Sequence, residues 1–110
     1  MQGYDAEKAL AYIQKNVSRK GFSELGPSID GYLAQAQMLD LQFMRDTGVL
    51  NADGFAGDAD YDDDEAFEFI LEEIVRARGL NEEQEILVAS LLDQYMGAQD
   101  AFLHKEGLAD

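Results

Sequence analysis

With 110 residues, 46% of them hydrophobic, the chain has room for one core and enough apolar side chain to fill it, which excludes disorder as its organising state. Twenty-three acidic residues against eight Lys and Arg give a formal charge of −15. That balance repels phosphate backbones and anionic lipid, so direct binding to nucleic acid or to membrane is not expected. There is no cysteine, and disulfides, thiolate metal sites and thiol nucleophiles go with it.

The first predicted helix opens at Asp5, whose side chain can cap it, and carries Leu10, Ile13 and Val17 on one stripe. It is expected to run to a stop at Gly21 and Phe22. Residues 1–20 therefore read as an amphipathic helix and not as an apolar signal core, and no window holds the roughly 18 apolar residues of a membrane span. A single domain over 1–110 in the cytoplasm is the expectation. The second helix starts near Pro27, which suits the first helical position, with Ser23 as a competing cap and Gly31 weakening its beginning. Ile29, Tyr32, Leu33, Ala36, Leu39 and Phe43 form its stripe, and Met38, Leu41 and Met44 widen it, which predicts a central place. Met38 and Leu41 fall off the main stripe and are the candidates for an exposed apolar patch.

Residues 49–61 have no periodicity. Connections longer than about 12 residues are usually functional or mobile, and Phe55 and Tyr61 are expected to pin this one to the bundle. The third helix follows Asp62, with Glu65 completing a capping box, and carries Phe67, Ile70, Leu71, Ile74 and Val75. The fourth follows Asn81, with Gln84 as its box partner, and runs for about 24 residues, or ~36 Å, with Leu87, Val88, Leu91, Leu92, Tyr95, Met96, Ala98, Phe102 and Leu103 on a wide face. All four endings share one form, a glycine followed by an apolar residue, at Gly21, Gly48, Gly79 and Gly107. This is the signature of the Schellman stop, in which glycine turns left-handed and the next side chain folds back on the helix. Every Lys and Arg except Lys8 lies near one of these glycines, where the helix dipole favours a cation. The expected fold is all-α, a compact bundle of about four helices with one long acidic loop between the second and third.

Ten carboxylates and no cation occupy residues 51–73, so the negative field is concentrated on one side. The alternation Asp58, Asp60, Asp62, Asp64 suggests a calcium loop, but the register fails. Counting from Asp58 puts Asp63 at the glycine position and Phe69 at the bidentate glutamate; counting from Asp60 puts Glu65 and Leu71 there. A solvated acidic segment at the positive end of a helix is the simpler account. The one histidine, His104, sits where it can serve terminal carbonyls, and a di-metal site or a Ser-His-Asp group has nothing else to recruit. No catalytic residue, cofactor or resident metal is expected. The favoured reading is a non-catalytic interaction or inhibitor protein that turns Asp58, Asp60, Asp62, Asp63, Asp64, Glu65, Glu68 and Glu72 toward a basic protein surface, in its sharpest form as a mimic of nucleic-acid charge. The alternatives are a divalent-cation module built on loop 53–65 and a structural subunit, a homodimer or larger homo-oligomer, packed through the second or fourth helix.

Overall fold

Side chains start α1 (Ala6–Asn16), α3 (Asp63–Arg78) and α4 (Glu82–Lys105), and left-handed glycines end two of the helices. Asp5 accepts the Lys8 N–H at 3.1 Å to open α1, and Asp62 accepts from Asp64 and Glu65, each at 3.1 Å, to open α3. At α4 the box is reciprocal: Gln84 N–H donates to Asn81 at 2.9 Å, and Asn81 N–H donates to the Gln84 side chain at 3.0 Å. The Asp62 half of the other expected box is present, with Glu65 itself exposed. The computed structural model describes residues 4–18, 22, 25, 28–51, 57 and 59–106, and α2 (Ser28–Thr47) is the remaining helix. Gly21, Ser23, Pro27, Phe55, Asp58 and Gly107, named above, lie outside the described residues.

Gly79 takes the left-handed conformation at φ 62° and ψ 45°. The N–H of Leu80 closes back on Val75 at 3.2 Å, which is the predicted Schellman bond. Gly48 also has positive φ, at 84°. There the closing bond comes one residue later, from Leu50 to Met44 at 3.0 Å, and both Val49 and Leu50 are buried. The end of α1 differs from the expected stop at Gly21. The helix ends at Asn16, because Val17 turns extended and drops into the core while the Ser18 N–H is taken by the Gln94 side chain at 2.6 Å. Tertiary contact thus cuts the helix before its glycine.

α1 and α3 each pack against α2 and α4 but not against each other, so they occupy opposite corners, and α2 and α4 meet across the middle. That explains the wide apolar sectors read on those two helices. Ile13, Leu33, Ile70, Ile74, Leu91, Leu92 and Tyr95 are fully buried in the main core. A smaller cluster of Met44, Val49, Leu50 and Leu103 closes one end beneath the α2–α3 connection. The cations do more than answer helix dipoles. Arg78 stacks over Tyr32 at 4.0 Å and donates to Gln35 at 2.6 Å, tying α3 to α2. Lys8, the exception in sequence, pairs with Glu106 at 2.8 Å and ties α1 to the end of α4.

Candidate functional site

The described residues that lead into α3 are tied back to the end of α2. Gly57 N–H donates to the Val49 carbonyl at 2.8 Å and Ala59 N–H to the Gly48 carbonyl at 3.1 Å, so the connection is closed at its base. A Cβ on Gly57 would lie 2.1 Å from the Gly48 oxygen, a backbone clash that only glycine avoids at this close approach. Tyr61 then anchors the chain, packing edge-on to Phe43 with ring centroids 6.4 Å apart and donating its hydroxyl to Asp40 at 2.7 Å. This is the pinning role expected of it.

On either side of Tyr61, as far as Glu72, the described carboxylates face water. Asp60, Asp62, Asp63, Asp64, Glu65, Glu68 and Glu72 are all exposed, and Glu82, Glu83 and Glu85 at the start of α4 are exposed as well. Of the residues read as partner-binding, Asp58 lies outside the described residues and the other seven are exposed along α3 and its approach, with Asp63 turned toward Asp100 and His104 of α4. Asp62 caps the helix, and Asp63 and Asp64 occupy its first turn, where the dipole offsets part of their mutual repulsion. Asp63 nevertheless has its carboxyl pushed above the usual range, first by partial burial and then by the charges of Asp100, Asp64 and Asp62, with His104 opposing. His104 lies 3.4 Å from Asp100, one turn back on α4. Asp60 to Asp64 line one open depression of about 530 Å³. Among the described residues no three acidic or histidine side chains are grouped to hold a metal ion.

Sequence reasoning missed a second group of polar residues. Asp40 is fully buried on α2 and accepts three hydrogen bonds: from Tyr61 at 2.7 Å, Tyr95 at 2.7 Å and Gln99 at 3.1 Å. Gln99 also donates to the Tyr4 hydroxyl at 2.8 Å, and Gln37 donates to that hydroxyl at 3.1 Å and to the Ala6 carbonyl at 2.7 Å. Through this cluster α2 holds α4, the approach to α3 and the residues before α1 together. Burial pushes the Asp40 carboxyl up, against the pull of its three donors, with the charge of Asp63 adding to the rise. Burial likewise raises Tyr61 and Tyr95 and takes Tyr4 up to about 12. Among the described residues every buried side-chain nitrogen and oxygen has a partner, so the cluster cross-braces the fold. The signal in sequence was the placement of Gln37 and Asp40 among the buried positions of α2, and of Gln99 one turn after Tyr95.

Two apolar side chains stand out at the surface. Met38 is 62% exposed and Ile86 is 67% exposed, the first as expected from its position off the stripe; Leu41, paired with it in that reading, is instead half-buried against the smaller cluster. Comparison of the chain with protein-family models, curated proteins and solved structures finds no match. No described helix is long and apolar enough to cross a membrane.

Proposed function

We propose that this all-α protein is a non-catalytic interaction protein whose α3 face engages a basic protein partner. The observation that carries the reading is the exposure of every described carboxylate from Asp60 to Glu72, apart from any cation in that span. Seven like charges held on one rigid helix and its approach sum to a field that steers a cationic surface at long range and weakens with salt. Arg76 and Arg78 lie beyond it, at the far end of α3. That continuity is what a mimic of nucleic-acid charge requires, and inhibition of a nucleic-acid-handling protein is the sharpest form of the proposal.

Capture of partners from native lysate at low salt is the test, with Asp60, Asp63, Asp64, Glu68 and Glu72 changed together to their amides and Asp62 left in place as the cap. A basic partner lost both from the variant and at high salt supports the proposal. An unchanged set of partners overturns it. The cation-module alternative is tested by melting the protein in millimolar calcium or magnesium beside sodium chloride of equal ionic strength. A rise specific to the divalent ion is its expected result, and equal shifts mean that screening alone relieves self-repulsion.

A further inference from the structure

α3 carries more apolar surface than the core covers. Five positions form its predicted stripe, yet only Ile70 and Ile74 of these are fully buried, joined by Ala66. Leu71 and Val75 remain half-buried at one edge. With the exposed Glu68, Glu72 and Arg76 of α3 and Glu85 of α4 they line an open groove of about 540 Å³. Leu71 and Val75 are one turn apart, as are Glu68 and Glu72, so an apolar row and an acidic row run side by side along roughly two helical turns. Glu85 adds a carboxylate from the neighbouring helix. Arg76 bonds to Glu73 of its own helix at 3.1 Å.

We propose that this groove docks an amphipathic α-helix with an apolar edge and a flank rich in Lys or Arg, an inference that rests on the basic-partner reading above. Two partner side chains spaced by one turn match the Leu71 and Val75 row, as in helix-in-groove recognition. Cations on the adjacent positions then reach Glu68 and Glu72 on one side and Glu85 on the other, laying their aliphatic stems over the apolar row. The sign of the rim excludes an acidic helix. An extended peptide would need a strand edge to pair with, and the partner-facing elements here are helices. The groove supplies what the wider acidic face lacks, a preference for shape as well as for charge.

The test uses a fluorescent peptide of about 18 residues with Leu at i, i+4, i+7 and i+11 and Lys and Ala elsewhere, beside a peptide of equal composition whose leucines are scattered around the helix. Anisotropy is read at about 0.15 M salt. The patterned peptide is expected to bind at least about tenfold more tightly than the scattered one. Changing Glu68, Glu72 and Glu85 together to Gln is expected to weaken it about tenfold, the combined effect of three exposed ion pairs. Removing the same number of charges at Asp60, Asp63 and Asp64 with Asn should cost less than about threefold. These substitutions are all at exposed positions, and thermal melts confirm that each variant stays folded. If both peptides bind alike and the two triple variants lose equally, the groove is overturned while the diffuse acidic reading stands. If neither peptide binds, the basic-partner reading falls and the groove with it.

Discussion

Asp40 and the carboxylates of Asp60 to Glu72 show one functional group under opposite conditions. Asp40 is sealed in the core with a hydroxyl on each oxygen and an amide on one of them, whereas the α3 carboxylates stand in water. In the interior a missing partner is expensive, because the desolvated atom has no water to fall back on. At the surface each charge matters little to stability, but together they set a long-range field. The buried acid therefore governs how well the molecule holds together, and the exposed acids govern what approaches it.

Substitutions can break that division. Asp40→Ala should have the largest effect, about 2–4 kcal/mol in urea unfolding, because Tyr95 and Gln99 are left buried without their acceptor. A loss below about 0.5 kcal/mol would mean that the cluster does not brace the fold. Tyr61→Phe removes one donor at the edge of the cluster and is expected to cost about 1–2 kcal/mol, with faster amide exchange at residues 59–62 as the local readout. Asp62→Ala, which removes a cap and one surface charge, should cost about 1 kcal/mol. Glu68→Gln and Glu72→Gln should stay within about 0.5 kcal/mol of the parent, their effect appearing in binding and in salt dependence.

Burial also sets how a carboxyl responds to pH. Burial lifts Asp40, and with it Asp63, above the ordinary value of 3.8, so the folded chain holds these protons more tightly than the unfolded chain. Their contribution to stability is complete below the unfolded value and is lost as pH rises through the folded one. The melting temperature should accordingly rise as pH is lowered through the raised folded values toward the unfolded one, helped by relief of self-repulsion at a formal charge of −15. Asp40→Asn should flatten that slope; an unchanged slope would assign it to the surface charges alone.

Much of this was legible from local chemistry. Asp5, Asp62, Asn81, Gly48 and Gly79 each act on backbone groups a few residues away, so the sequence alone identifies the helix ends they control. The exposure of the α3 acids was legible for a similar reason, since a run of like charges without counter-ions belongs in water. What escaped was long-range. α1 stops early because Gln94, 76 residues away, takes the Ser18 N–H. Asp40 is buried because Tyr61, Tyr95 and Gln99 converge on it from elsewhere in the chain; a reading that followed apolar spacing passed over a polar side chain on the same face. Leu71 and Val75 lie on the predicted stripe because their periodicity is right, but how far a stripe is covered depends on neighbours that periodicity does not contain.

The connection between α3 and α4 has a kinetic corollary. Only Gly79, Leu80 and Asn81 separate the two helices, so their hairpin closes a short loop at small entropic cost. The Tyr4 bond to Gln99, by contrast, waits on the closure of 95 residues. We expect the α3–α4 hairpin to organise the folding transition state and α1 to dock after the barrier. Truncating Ile74 or Val88 should then slow refolding, while truncating Ile13 should chiefly hasten unfolding.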